Sequence, residues 1–157
     1  MRPQRDRVYT AEAGEKLADA FKRNNLALST NITAYASFEI LRARHPGVDL
    51  YRLLRTAADG TGIEMARLAE EVETITTRLR SMSNAGDIMV DKKVRDADPM
   101  AIIHDALRHF GSYHHHPVLY RKGDRMFTED TKLLLYYRNR LDGYGDLTKA
   151  QGVNHDD

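Results

Sequence analysis

The chain reads as mainly helical, an α+β arrangement in which helices carry the core and a small β-hairpin, with room for one further short strand, supplies the rest. Three observations predict this. Apolar residues recur at steps of three and four over long windows, capping residues stand in front of those windows, and "PVLYRKGDRMF" at 117–127 has the strand, glycine turn, strand order of a hairpin.

Each element follows from local chemistry. Thr10 is placed to cap a first helix, with Glu12 near its positive end and Ala13, Leu17, Ala20 and Phe21 on one stripe before "NN" interrupts. After Ser29 and Thr30, "NITAYASFEILRAR" carries Ile32, Tyr35, Ala36, Phe38, Ile40 and Leu41 around most of its circumference until Pro46 and Gly47 stop it, which predicts a buried helix. Asp49 caps a short helix with Leu50, Leu53, Leu54 and Ala57 on one face, ending near Gly60. Thr61 and Glu64 have capping-box spacing. Beyond them Met65, Leu68, Val72, Ile75, Leu79 and Met82 define a narrow seam along a long helix. With barely three heptads, that seam suits packing within its own domain better than a coiled-coil dimer.

Gly86 punctuates, and "DIMV" at 87–90 is the candidate extra strand. Asp98 and Pro99 form a cap and first-turn pair for a helix bearing Met100, Ile103, Ala106, Leu107 and Phe110, with Gly111 expected to close it. In the hairpin Gly123 takes the positive φ of the turn. Thr128, with Glu129 and Asp130 in the first turn, starts a final helix through "TKLLLYYRNRL". The expected division is one domain over 1–144 and a flexible tail over 145–157.

Composition bounds the function. The 157 residues fit one ordinary domain with a real core, while a mean hydropathy of -0.59 implies many wet faces. Lys plus Arg number 24 against 23 Asp plus Glu, a net charge of +1, so no global field draws in polyanions. With 0 cysteines, thiolate chemistry and cysteine-bound zinc are excluded. The charged N-terminus has no apolar signal core, and no stretch reaches the roughly twenty apolar residues of a membrane span.

Few groups suggest catalysis. In "YHHHPVLY" an extended backbone puts His114 and His116 on one side and His115 on the other, so two at most reach one ion, and no acidic cluster is visibly paired with them. A solvated loop is the better reading, and no cofactor is expected. His104 and Asp105 are helix neighbours that point apart. The hairpin, with Arg121, Lys122 and Arg125, follows a helix and precedes another, an order similar to a winged helix. Asp124, Glu129 and Asp130 dilute its charge, and nucleic acid is not an expected partner.

"STNITAYASFEILRARHPGVDLYRLLR" at 29–55, followed by a "DALRHF" segment, the hairpin and "LLLYYRNRL" at 133–141, resembles the C-terminal region of the membrane-associated glycerol-3-phosphate acyltransferases, a family shared with the dihydroxyacetone-phosphate acyltransferases. The likeness runs as an order of elements from about Arg7 to Tyr144. Its most specific piece is Tyr136, Tyr137, Arg138 and Asn139. Members transfer an acyl group from acyl-CoA or acyl carrier protein to glycerol 3-phosphate, the first step of phospholipid biosynthesis. They use a His-x-x-x-x-Asp motif in an upstream domain, whose histidine acts as general base. No histidine here has an aspartate at that spacing, and "HPGVD", His45 to Asp49, is one residue short on a Pro-Gly turn.

The resemblance thus implies an accessory, structural or regulatory domain, inactive alone, that packs on an acyltransferase catalytic domain in cis or on another chain. It implies a cytoplasmic protein, peripheral at the cytoplasmic face of a membrane through that partner. Tyr136 and Tyr137 offer apolar bodies with polar tips, and Arg138 and Asn139 offer donors, for a polar network either at such an interface or inside the fold. Two other classes remain: a free-standing interaction module that self-associates through 65–82, and a winged-helix-like binder whose salt-dependent affinity weakens when Arg121, Lys122 and Arg125 are neutralised.

Overall fold

The structure, a computed structural model, describes residues 2–56 and 60–149. In chain order its elements are α1 (Arg2–Asn24), β1 (Leu26–Ala27), α2 (Ser29–Ala43), α3 (Leu50–Thr56), β2 (Ile63–Glu64), α4 (Met65–Asn84), β3 (Met89–Val90), α5 (Lys92–Arg95), α6 (Pro99–Tyr113), β4 (Tyr120–Lys122), β5 (Arg125–Phe127) and α7 (Thr131–Asn139). The fold is mainly α with small sheets, as the helical periodicity predicts.

Helix α2 is the centre, with α7, α6 and α4 packed around it. Through Leu41 it is covered on nearly all sides: Ile32, Ala34, Ala36, Phe38 and Tyr35 are all but inaccessible. Ser29 and Thr30 lie inside its first turn rather than ahead of it. The start is held instead by Asn31, whose Oδ1 accepts from the Leu28 N–H at 3.1 Å. The α4 seam of Met65, Leu68, Val72, Ile75 and Leu79 is buried in the same core, with Met82 half-buried against it. It is spent on α2 and α6, so the dimer that 65–82 would support has no free face there.

Local capping explains two starts. Asp49 Oδ1 accepts from the Arg52 N–H at 2.9 Å, and Asp98 Oδ1 accepts from the Ala101 N–H at 2.9 Å with Pro99 in the first turn. Ala57, placed on the face of the short helix, lies outside the described residues. Leu53 is buried, while Leu50 is half exposed.

Other boundaries differ from the sequence reading. The first helix begins at Arg2 rather than Thr10, and Leu17 and Phe21 on its stripe are 58% and 69% exposed. The capping box at Thr61 and Glu64 does not form. Residues 63–64 pair as β2 with β5, Glu64 is itself the cap position without a side-chain bond, and its carboxylate meets Arg125 at 3.4 Å. Gly111 continues α6 and has no positive φ. The last helix starts three residues late because Thr128 Oγ1 donates to Val118 O at 2.7 Å, leaving Asp130 to accept from the Leu133 N–H at 3.0 Å. The chain also packs past residue 144: Leu147 is wholly buried, and its N–H donates to the Tyr35 hydroxyl at 3.4 Å. The rest of the expected tail, from 150, lies outside the described residues.

Two sheets tie the helices. Met89 and Val90 pair in parallel with Leu26 and Ala27, which gives the "DIMV" strand its partner. The expected hairpin forms with Gly123 at φ 64, and β2 joins it to give the antiparallel order β2-β5-β4. The Met65 N–H then donates to Asp124 O at 2.8 Å, so the hairpin turn serves the start of α4 in place of a side-chain cap.

Candidate functional site

The four residues of "YYRN" diverge. A helix turns about 100° per residue, so neighbours on α7 face different surroundings. Tyr136 is 72% exposed. Arg138 points inward to α2, where Glu39 Oε1 accepts from Nη2 at 2.9 Å and from Nε at 3.1 Å, and Asp142 Oδ1 accepts from Nη1 at 3.0 Å. Its guanidinium carbon lies 4.7 Å from the Tyr35 ring centroid and 5.8 Å from that of Phe38. Burial alone would lower the Arg138 pKa, but Glu39 and Asp142 outweigh it and hold it above its ordinary value. Asn139 Oδ1 accepts from Arg138 Nη1 at 3.3 Å.

Tyr137 turns to α6. Its ring meets Phe110 edge-on at 5.0 Å, and its hydroxyl lies 2.8 Å from His114 Nε2. Burial raises its pKa. Tyr137 O accepts from Asn31 Nδ2 at 3.1 Å, and Thr131 Oγ1 donates to Leu54 O at 2.6 Å. The polar network around Arg138 and Tyr137 is therefore closed within the chain, and Tyr136 is left on the surface.

The histidines do not converge. His114 is taken by Tyr137, while His116 Nδ1 lies 3.7 Å from Glu129 Oε2. Among the described residues no three His, Cys, Asp or Glu side chains are grouped to hold a metal. Asp49 accepts the cap bond of α3 from the Arg52 N–H and lies 3.6 Å from the Arg52 side chain. Of the hairpin cations, Arg125 is committed to Thr61 O at 3.1 Å and to Glu64.

A cluster that sequence reading did not assemble lies along α6. Asp105 Oδ2 accepts from the Ser29 hydroxyl at 2.6 Å, and Oδ1 accepts from Arg108 Nη2 at 2.6 Å with Lys93 Nζ 3.8 Å away. His109 Nδ1 is 2.8 Å from Asp105 O, and one turn back His104 Nε2 is 3.4 Å from Arg121 Nη1 of the hairpin. Burial would raise the Asp105 pKa, but the Ser29 hydroxyl and then Arg108, His109 and Lys93 hold it below the usual carboxylate value. Nothing in the local spacing announces this cluster, since Ser29, Lys93, Asp105 and Arg121 come from four separate elements.

Among the described residues no helix is long and apolar enough to cross a membrane. Comparison with protein-family models, with curated proteins and with solved structures finds no match to this chain.

Proposed function

We propose that the chain is an accessory domain of the kind found at the C-terminus of glycerol-3-phosphate acyltransferases. In this reading it is non-catalytic alone and serves an acyltransferase catalytic domain, in cis or on another chain, at the cytoplasmic face of a membrane. One observation supports the reading. The two stretches that carry the resemblance, 29–55 and 133–141, are packed on each other through Arg138 with Glu39 and Asn31 with Tyr137 O. A likeness split between distant parts of a chain has more weight when those parts build one structural unit.

The division of labour follows. The partner's histidine and aspartate activate the hydroxyl of glycerol 3-phosphate, and this chain supplies a rigid helical face that includes the exposed Tyr136. The test has two arms. The purified chain, given long-chain acyl-CoA and glycerol 3-phosphate, is expected to show no lipid product above the uncatalysed background. Co-expressed with an acyltransferase domain bearing His-x-x-x-x-Asp, it is expected to co-purify and to raise that domain's turnover. Turnover by the chain alone, or failure to associate, defeats the proposal.

A second reading has its own observation. Helix α2, strand β2, helices α4 and α6 and the β4–β5 hairpin, with β2 joined to β5, follow the order of a winged helix into which α3, β3 and α5 are interposed. In that arrangement α6 and the hairpin share one exposed face, where Arg121 reaches His104.

A further inference from the structure

We infer that α1 lies along an anionic lipid surface, with its apolar stripe turned into the headgroup layer. The inference does not rest on the acyltransferase reading, in which a partner domain reaches the membrane.

The stripe has no cover in this chain. Helix α1 is tied to its own domain at its last turn, where the Tyr144 hydroxyl donates to Lys22 O at 2.7 Å and the Lys22 side chain passes beside Gly143. At about 100° per residue, Tyr9, Ala13 and Leu17 stand roughly 140–180° around the axis from Lys22, and Phe21 about 100°. The usual order of faces is thus inverted: Lys22 is turned to the domain, while Tyr9, Leu17 and Phe21 are each more than half exposed. Every side chain from Arg7 to Asp19 is exposed. A helix with Gly14 in its middle gains little stability without packing, so an apolar layer outside this chain would add what the domain does not.

The arrangement of charge identifies that layer. Measured from the middle of the stripe, between Ala13 and Leu17, the cations Lys16, Arg7 and Arg23 stand about 80–100° round, at its two borders. Glu12 stands about 120° round, and Asp19 and Glu15 about 140–180°, on the far side. Long cationic side chains at the border of an apolar face cover apolar surface with their stems and reach lipid phosphates with their heads. Over residues 7–24 four bases stand against three acids, so position rather than net charge decides. A helix with its side chains is about 10 Å across, and charge is screened over about 8 Å at physiological salt. The lipid phosphates therefore act on the border cations more strongly than on the acids behind them.

Two other occupants fit less well. A helix of 23 residues offers a strip about 35 Å by 10 Å, so pairing with α1 of a second copy covers far less than the roughly 800 Å² per partner of a stable interface. Nucleic acid would engage the cations and leave the stripe in water.

The probes are phosphatidylglycerol vesicles and phosphatidylcholine vesicles, mixed with the full chain and read by flotation. The chain is expected to float with phosphatidylglycerol and to lose about tenfold or more in partitioning with Leu17→Ser plus Phe21→Ser. Lys16→Gln plus Arg23→Gln should lose severalfold, whereas Glu15→Gln plus Asp19→Asn, on the far side, should change partitioning less than about twofold. All six side chains are exposed, so the variants should melt as the parent does. The inference is overturned if the chain does not float with phosphatidylglycerol at low salt, if it floats equally with phosphatidylcholine, or if the Leu17 and Phe21 pair changes nothing. It is also overturned if the chain is dimeric without lipid and that pair makes it monomeric in sedimentation equilibrium. Flotation together with failed acyltransferase reconstitution would retain this role of α1 and remove the proposed function, and reconstitution without flotation would do the reverse.

Discussion

At the scale of single residues, Arg138 has the largest energetic consequence. Its side chain and that of Glu39 are 11% and 14% exposed, so removing the cation leaves a nearly buried carboxylate. Arg42 remains on Glu39 at 2.6 Å, which limits the loss. Arg138→Ala is therefore expected to cost about 3 kcal/mol in urea unfolding, and a change under about 0.5 kcal/mol would mean the pair is solvated in solution. The opposite sign is expected at Thr33. Its hydroxyl is buried without a hydrogen-bond partner, as are those of Ser37 and Thr76. Thr33→Val keeps the shape, removes the desolvated oxygen and should stabilise by about 1 kcal/mol. Asp105 sets an acid limit. Burial opposes its charge, but Ser29 and Arg108 prevail and depress its pKa. Its contribution is thus complete above the ordinary carboxylate value and is lost as pH falls through the depressed one, below about 4. Asp105→Asn should flatten the loss of unfolding free energy in that window, which a series of urea titrations at falling pH reads directly.

Among the elements, the β2–β5 pairing depends on Gly62. Its φ is 71, and a Cβ there would stand 2.7 Å from the Phe127 ring and 3.1 Å from Met126 O. Gly123 has a similar φ of 64 but nothing within 4 Å. Alanine at Gly123 should cost about 1 kcal/mol for the left-handed backbone. Alanine at Gly62 should cost clearly more, because the ring must also move, and equal losses in thermal melts would show that Phe127 gives way freely. The same pair of glycines shows what a sequence discloses. Gly123 was legible as a turn because its strands are adjacent in the chain, and Asp49 and Asp98 were legible as caps because each serves an N–H three residues away. Gly62 and β2 were not, because their partners Arg125 and Met126 are more than sixty residues distant. Thr61 and Glu64 had the spacing of a cap, yet the sheet claimed that backbone first. The Asp105 cluster was hidden for the same reason as β2: only the packing of α2, α5 and α6 brings Ser29 and Lys93 to it.

For the whole molecule, the amphipathic pattern predicts burial at both ends of the chain less well than in its middle. Helix α1 has an apolar stripe, yet Val8, Tyr9, Leu17 and Phe21 are each more than half exposed. Burial stabilises in proportion to the apolar area removed from water, so these side chains add little to folding. The helix end is tied by the Tyr144 hydroxyl donating to Lys22 O at 2.7 Å, while Asn25 and Arg140 exchange bonds of 2.7 Å just beyond it. Removing residues 1–24 spares the Asn25 pair and should cost about 1 kcal/mol, a fall in Tm of a few degrees. The other end has the reverse balance. Leu147 lies in a polar, glycine-bearing stretch that looks frayed in the sequence, but it is wholly buried in the core. Leu147→Ala should cost about 2–3 kcal/mol through lost transfer energy and a residual cavity. Circular-dichroism melts of the two variants decide the matter: the shortened chain should melt above the Leu147 variant. The opposite order would place α1 inside the cooperative unit and Leu147 outside it.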